Sequence, residues 1–332
     1  MHTHKNWNPG FSRLPPMRVL LCFVASACCC LAAFAENGGL LDVTETKALP
    51  VAEIAPGVFM HQGVHAEVTA DNLGAIANIG FIIGESCVAV IDSGGSFAEG
   101  RALRTAVKIR TAIPVCYVIN THGHPDHVYG NAAFLQDHPH FIGHQNLAGF
   151  LGARHPYYHK FMIRTFGYDQ AAKSTLVLPD VVVAALHVID LGQRKLVLQA
   201  WSPSHTNNDL TVLDQNTGTL WLGDLLFTEH VPVLDGKLSG WLATMTSLSA
   251  IAAKYVVPGH GAVSSDWPAV MAPQARYLNT LQIEIRAAVR AKQSIQQAVA
   301  ESGRSERMQW QLFDAFHSRN ATSAFAEIEW EN

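Results

Sequence analysis

Directly after a β-branched run, the chain reads Thr121-His122-Gly123-His124-Pro125-Asp126-His127. The run itself, residues 115–120, is Val-Cys-Tyr-Val-Ile-Asn and predicts a buried strand. Three imidazoles and a carboxylate therefore follow the carboxyl end of a strand, at a sheet edge where loops carry functional groups. Histidine and aspartate are ordinary ligands of zinc. The stretch predicts a metal-binding loop.

The spacing within this loop can serve two metal ions. Alternation lets His122 and His124 point the same way toward one ion, while Asp126 and His127 turn toward a neighbouring position. A zinc ion with two imidazole ligands needs at least one further protein ligand. Three later donors each follow a predicted strand, namely His205, Asp224 and His260.

From about residue 51 to 263, short β-branched runs alternate with helix-type segments, which indicates a layered α/β architecture. Ser96 and Glu99 predict a capping box for a helix that ends near Thr111, and Gly94-Gly95 before it predicts a turn. The predicted strands are Ile79–Ile83, Cys87–Ile91, Val115–Asn120, Phe141–Gly143, Leu196–Trp201, Leu210–Leu213, Thr219–Leu222 and Tyr255–Val257.

The C-terminal part of the chain has a helical pattern. Leu278, Leu281 and Ile285 share one face of a segment over residues 270–301, and a shorter segment follows Gly303 up to His317. No linker separates these segments from the rest of the chain. We therefore expect residues 266–332 to form a helical cover on a metal-binding domain of residues 36–265.

Residues 1–35 have the pattern of a secretory signal peptide. They contain three basic residues, no acidic residue and an apolar run that ends in Ala33-Phe34-Ala35. We expect cleavage near Ala35 and a periplasmic or secreted protein. A translation start at Met17 and a lipoprotein site at Cys28 are alternatives. No later stretch reaches the roughly 18 apolar residues of a membrane span, so we expect no stable membrane insertion.

Composition narrows the class of partner. The chain has 23 basic and 27 acidic residues, a net charge of −4, and 17 histidines. Without residues 1–35, the 20 basic and 27 acidic residues that remain give −7. This balance argues against a nucleic-acid ligand, whereas the histidines favour metal or proton chemistry. A small-molecule substrate is expected, and the oligomeric state stays open.

Of six cysteines, only Cys87 and Cys116 lie outside the predicted signal peptide. Each belongs to a predicted strand, so we expect two buried, unpaired thiols. A single disulfide between them is the alternative, because the predicted compartment is oxidising.

With these motifs the chain resembles the metallo-β-lactamase superfamily over about residues 50–265. The resemblance implies an αββα four-layer sandwich with a C-terminal helical extension and two Zn²⁺ at one edge of the sheets. The signature segments are Ile91-Asp92-Ser93-Gly94, the His122–His127 loop, His205, Asp224 and His260. By this resemblance, His122, His124 and His205 would hold one metal, and Asp126, His127 and His260 the other. Asp224 would bridge both metals, and Asp92 would support the ligands from outside the site.

The resemblance also implies an activity, the hydrolysis of an ester, thioester, lactone or amide by a metal-bridging hydroxide that Asp126 orients. Asp224 stands where subclass B1 β-lactamases have cysteine, and His124 where flavo-diiron proteins have glutamate, so the site is closer to the glyoxalase II branch. The segments 63–67, 228–232 and 327–331 resemble the quinoprotein relay system zinc metallohydrolases, which implies a link to a quinoprotein dehydrogenase.

Four further side chains are candidates for the substrate pocket, namely His61, His65, His230 and Tyr157. Two other functions stay open. One is a mononuclear iron oxygenase of the persulfide type, which would use His122, His205 and Asp224. The other is a periplasmic carrier protein without catalytic activity.

Overall fold

Two stacked β-sheets form the centre of the molecule. A computed structural model describes residues 46–331 of the chain, so the predicted signal peptide lies outside the described residues. The described residues group as one compact unit. The predicted αββα sandwich with a C-terminal helical extension is confirmed.

The first sheet has seven strands in the order β1-β2-β3-β4-β5-β6-β7. They are β1 (Ala52–Ala55), β2 (Val58–His61), β3 (Ile79–Ile83), β4 (Val88–Ile91), β5 (Val115–Ile119), β6 (His140–His144) and β7 (Val181–Val183). Pairing is antiparallel from β1 to β4 and parallel from β4 to β7. The carboxyl ends of β4, β5 and β6 therefore meet at one edge.

The second sheet has the order β12-β11-β10-β9-β8. Its strands are β8 (Leu186–Asp190), β9 (Lys195–Ala200), β10 (Leu210–Asp214), β11 (Thr219–Phe227) and β12 (Tyr255–His260). Apolar side chains from both sheets fill the space between them, among them Ile82, Ile119 and Val212, which are fully buried. This core fixes the two sheets relative to each other.

Helices cover the outer faces of both sheets. They are α1 (Phe97–Arg110), α2 (Pro125–Val128), α3 (Leu147–Phe166), α4 (Tyr168–Lys173), α5 (Leu238–Leu248), α6 (Ala272–Arg290), α7 (Ile295–Glu301) and α8 (Phe313–Glu329). Leu103 of α1 packs with the first sheet, and Leu281 of α6 and Phe325 of α8 pack in the cluster that covers the second. None of the helices in residues 46–331 combines the length and apolar character that crossing a bilayer requires.

The start of α1 differs in one detail from the predicted capping box. Ser96 is the N-cap and accepts a hydrogen bond from the Glu99 amide. The Glu99 carboxylate accepts from the Gly95 amide (2.8 Å) instead of returning to Ser96. Gly94 has a φ of 95°, and a Cβ there would lie 2.4 Å from the Glu99 carboxyl group. The turn therefore requires glycine at this position.

Some elements differ from the prediction. β11 runs beyond Leu222 to Phe227 and β12 beyond Val257 to His260, so two predicted donors lie within strands. The register between these strands shifts on both sides of Gly223, whose φ of 50° bends the main chain. The strands β1, β2, β7 and β8 were not predicted, and three of them, β1, β7 and β8, are edge strands of the two sheets.

The C-terminal helices also differ in their bounds. The single pattern predicted for residues 270–301 is divided into α6 and α7 where Lys292 adopts a φ of 54°. Beyond Gly303, α8 begins at Phe313 and continues well past His317.

Cys87 and Cys116 form a disulfide, so the expectation of two free thiols is wrong. Cys87 precedes β4 and Cys116 lies in β5, and these strands are parallel neighbours. Their Cα atoms are 5.5 Å apart, a separation that suits a disulfide. The bond depends on the pairing of β4 with β5, which the spacing of the two cysteines does not reveal.

A buried arginine connects the two sheets. The Arg194 guanidinium, in the turn between β8 and β9, donates to both Asp214 oxygens (3.1 and 2.7 Å). It also donates to the carbonyl oxygens of Ile83 and Pro56 in the first sheet (2.8 and 3.0 Å). One side chain thus joins the second sheet to the end of β3 and to the turn between β1 and β2.

We expect Arg194→Met to lower the free energy of unfolding by about 3 kcal/mol, because it leaves the buried Asp214 carboxylate without its cation. Urea denaturation measures this change. Arg307→Met is the control, since Arg307 pairs with Asp314 at the exposed surface and its loss is expected to leave the midpoint unchanged. Equal midpoints for the two variants would contradict the prediction.

Candidate metal centre

Seven histidine and aspartate side chains converge at one edge of the sandwich. His122, His124, Asp126 and His127 come from the loop after β5 and from α2. The other three come from the second sheet: His205 follows β9, Asp224 lies in β11 and His260 ends β12. Their ligand atoms form two groups, His122, His124, His205 and Asp224 in one and Asp126, His127 and His260 in the other.

The first group has the spacing of a metal site. His124 Nδ1 lies 3.1 Å from His122 Nε2 and 3.0 Å from His205 Nε2. Asp224 Oδ2 lies 3.6 Å from His122 Nε2 and 3.3 Å from His205 Nε2. Four ligands about 2.1 Å from a tetrahedral zinc ion are separated by roughly 3.4 Å. These four atoms therefore surround a position of the right size.

The second group is built around Asp126. Its Oδ2 atom lies 3.3 Å from His260 Nε2 and 3.5 Å from His127 Nε2. The other Asp224 oxygen, Oδ1, lies 3.2 Å from His127 Nε2 and 3.5 Å from His260 Nε2. Asp224 thus presents one oxygen to each group and lies between them.

Hydrogen bonds to carbonyl oxygens set the tautomers of two histidines. His205 Nδ1 donates to Val233 O (2.6 Å), and His260 Nδ1 donates to Ile76 O (3.0 Å). A carbonyl oxygen only accepts, so the proton of each neutral ring is on Nδ1. In the neutral form of each ring, the inward Nε2 atom carries the lone pair that can bind a metal.

Asp92 supports two more histidines. Its Oδ2 atom accepts from His127 Nδ1 (2.8 Å) and from the Thr121 hydroxyl (2.7 Å). Because that hydroxyl donates to Asp92, it accepts from His122 Nδ1 at 3.1 Å. Asp92 has a φ of 53°, an uncommon conformation for a residue other than glycine. The Asp92 carboxylate therefore contacts His127 directly and His122 through the Thr121 hydroxyl.

The fifth histidine has a partner that the sequence did not reveal. His124 Nε2 lies 3.0 Å from Asp235 Oδ2, which leaves Nδ1 as the inward atom. Asp235 belongs to no motif and lies 111 residues from His124. All five histidines thus have their outer ring nitrogen bonded to oxygen, the usual arrangement of metal ligands.

The residues present fit a pair of divalent ions. The three inward nitrogens of the first group cannot hydrogen-bond one another, because in the neutral rings each presents a lone pair and carries no proton. In addition, His127 Nε2 and Asp224 Oδ1 are buried without a hydrogen-bond partner. A cation between these atoms would relieve both the repulsion and the missing bonds, and the histidine and carboxylate donors suit zinc.

Burial and neighbouring charges give the histidines of the two groups different pKa values. Burial lowers the pKa of His205 to about 3 and holds the pKa of His122 well below its usual range. Burial also disfavours a charge on His260, but Asp224 and Asp126 raise its pKa to about 9. Burial raises the pKa of Asp126, yet His127 and His260 outweigh it and lower that pKa to about 2. The Asp126 carboxylate is therefore ionised and available as a ligand at neutral pH.

A cleft of about 730 Å³ opens onto the two groups. Of the four predicted pocket residues, His230 and Tyr157 line it. His61 and His65 are not among the described residues that line the cleft. The Nδ1 atom of His61 instead bonds Pro50 O (2.8 Å). The His65 ring packs edge-on against the His230 ring, with their centres 6.0 Å apart.

Other lining residues were missed by the sequence interpretation. Phe227 and Phe316 add an aromatic wall, and Arg154 and Arg319 add two cations. These side chains come from β11, α3 and α8 and meet only in the folded chain. No local spacing connects them, which is why the sequence carries no signal for this wall.

Comparison with known proteins agrees with this geometry. A family model described as the metallo-beta-lactamase superfamily matches residues 73–260, more than half of the chain. The chain belongs to the metallo-β-lactamase superfamily. The matched range contains all seven donors of the centre.

Individual relatives are distant. An uncharacterized protein of Caenorhabditis elegans is 26% identical over 166 residues, which are 46% of this chain and 38% of that protein. A metallo-β-lactamase from Pontibacter korlensis has a TM-score of 0.57 at 19% identity, covering 70% of this chain and 99% of its own. The structure of TMB-1 has a TM-score of 0.53 at 18% identity, with coverages of 70% and 97%. At these identities the two structures show the fold.

We expect Asp92→Ala to weaken metal binding by about 10- to 100-fold, because His127 and His122 lose the support of their outer nitrogens. Competition with a chromophoric chelator measures the affinity. Asp180→Ala is the matched control, since Asp180 bonds His140 at 2.8 Å on the exposed surface. An unchanged affinity in Asp92→Ala would show that Asp92 does not support the centre.

Proposed function

We propose that this protein is an exported binuclear zinc hydrolase that attacks the carbonyl group of an ester, thioester, lactone or amide. The observation that carries the proposal is the position of Asp224, with one oxygen facing each group of donors. His122, His124 and His205 would hold one ion, and Asp126, His127 and His260 the other. A carboxylate shared by two ions is a common way to hold a metal pair at a short separation.

When bound, such a zinc pair supplies a water molecule acidic enough to attack at neutral pH and a Lewis acid for the carbonyl oxygen. Asp126 lines the cleft and is ionised, so it accepts a hydrogen bond from the attacking water and orients it. His230 also lines the cleft. Its Nδ1 atom donates to Val231 O (2.6 Å), which leaves Nε2 to accept a hydrogen bond from substrate or water.

Export is supported by two features of the chain. The pattern of residues 1–35 is that of a signal peptide. The Cys87–Cys116 disulfide is typical of proteins that fold in an oxidising compartment. A functional link to a quinoprotein dehydrogenase rests on the resemblance of segments 63–67, 228–232 and 327–331 to quinoprotein relay metallohydrolases.

The walls of the cleft favour a substrate with an aromatic or apolar body and an anionic group. Arg154 and Arg319 share one carboxylate, that of Asp235, at 2.8 and 3.1 Å. Asp235 also bonds His124, so it cannot satisfy all the donors of two guanidinium groups. Arg319 is half exposed, at 52% of its side chain. The exposed Glu67 also lines the cleft. The guanidinium groups of Arg154 and Arg319 nevertheless retain N–H donors that can bind an anionic group of the substrate.

Metal analysis of the mature protein together with a hydrolase panel tests the function. We expect two zinc ions per chain, an N-terminus at Glu36 by mass spectrometry, and loss of turnover after chelation. Asp126→Asn is expected to lower kcat by at least about 100-fold, whereas Asp180→Asn retains it. Iron with sulfite produced from a persulfide would support the oxygenase instead. Full zinc loading without turnover of any ester, thioester, lactone or β-lactam would support the carrier.

A matched pair of substrates tests the anionic preference. For Arg319→Met we expect kcat/KM for 4-acetoxybenzoate to fall about tenfold relative to phenyl acetate, the loss of one charged hydrogen bond. Arg164→Met, an exposed change on α3 outside the cleft lining, is the control. If the ratio of the two kcat/KM values stays the same in Arg319→Met, Arg319 does not recognise the anion.

A further inference from the structure

The C-terminal helix α8 is bonded to the loop of residues 231–237, which follows β11. Asn320, fully buried in α8, is the main contact. Its Oδ1 atom accepts from the Leu234 amide (2.9 Å), and its Nδ2 atom donates to Pro232 O and to the Tyr277 hydroxyl. The Asn320 side chain therefore bonds the main chain on both sides of Val233.

Further bonds hold this loop at both ends. Before it, the Gln311 amide donates to Glu229 O (2.8 Å), and the Val231 amide donates to Gln311 O (3.0 Å). After it, the Glu327 carboxylate accepts from the amides at the start of α5. All of these partners lie beyond residue 260, where the match to the superfamily ends. The C-terminal extension thus bonds the 231–237 loop near both ends and at Leu234, in addition to the bonds that the amides of Asp235 and Lys237 donate to the carbonyl oxygens of His205 and Ser204 (3.0 and 2.9 Å).

The same loop supplies the outer partners of two histidines in the first group. Val233 O accepts from His205 Nδ1 at 2.6 Å, and Asp235 bonds His124 Nε2 at 3.0 Å. These two residues flank Leu234, whose amide is bonded to Asn320. By contrast, the histidines of the second group are supported by Asp92 and Ile76, which do not belong to this loop.

We infer that Asn320 is a positioning residue of the metal centre and acts on the first group alone. It holds the 231–237 loop so that Val233 and Asp235 orient His205 and His124. This inference rests on the proposed function, since it takes those histidines as metal ligands. Loss of the Asn320 amide would leave the Leu234 amide and Pro232 O without these partners, and the loop would hold the two imidazoles less firmly.

Zinc titration of the metal-free protein tests the inference. In competition with a chromophoric chelator, Asn320→Ala is expected to bind one of its two zinc ions 10- to 100-fold more weakly and the other within twofold of the unchanged protein. Asn320→Asp keeps the acceptor for Leu234 and removes the amide donor to Pro232, so it provides a second variant that separates the two bonds should Asn320→Ala fold poorly. His205→Ala identifies which affinity belongs to the first group.

Leu281→Ala is the matched control for stability. Leu281 is fully buried in α6, in the same helical cover, and is not bonded to the loop. This variant is expected to lower the midpoint of unfolding and to keep both zinc affinities. A merely structural role for Asn320 predicts the same behaviour for the Asn320 variants, so unchanged affinities in both would overturn the inference.

Failure of the proposed function gives a different result. If the wild-type protein binds two zinc ions but hydrolyses none of the substrates, the hydrolase proposal is refuted. The zinc affinities of the Asn320 variants still decide the role of Asn320 in that case. An unchanged protein that binds no zinc refutes both. The absorption spectrum of the Co²⁺-loaded protein gives a second readout, since altered geometry in the first group changes its d–d bands.

Discussion

The central constraint on this structure is the close approach of histidine nitrogens and carboxylate oxygens around Asp224. Five imidazole nitrogens and two carboxyl groups converge in a buried volume, and such an arrangement is costly unless cations occupy it. The main chain is adapted to this crowding. A Cβ at Gly259 would lie 1.8 Å from Asp224 Oδ1, so only glycine is accommodated beside that carboxylate. The sandwich places the strand ends so that the donors meet there.

Orientation of the donors comes from a separate set of residues. Asp92 and Thr121 lie at the edge of the first sheet, whereas Val233 and Asp235 lie in the loop after β11. Each contributes a bond to an outer ring nitrogen and so determines which nitrogen faces inward. The two sides of the sandwich therefore contribute to one centre through the ligands and also through the groups that hold them.

The C-terminal extension covers the core and also contributes residues to the cleft and hydrogen bonds to the loop beside the metal centre. Phe316 and Arg319 of α8 line the cleft, and Asn320 bonds the loop that carries Asp235. The matched part of the chain, residues 73–260, contains the donors. A division follows, in which the superfamily fold contributes the seven donors and most of the cleft lining, while the extension adds Phe316 and Arg319 to that lining and bonds the 231–237 loop.

The sequence by itself determined the features that are local to one segment. The His122–His127 loop, the helix cap at Ser96 and the donors near three strand ends are encoded in short motifs, and the family follows from them. Tertiary structure decided the rest: the Cys87–Cys116 bond, the pairing of Asp235 with His124, and the exclusion of His61 from the cleft lining. Each of these depends on which strands are neighbours and how α3 and α8 pack, contacts between distant residues that local spacing does not encode.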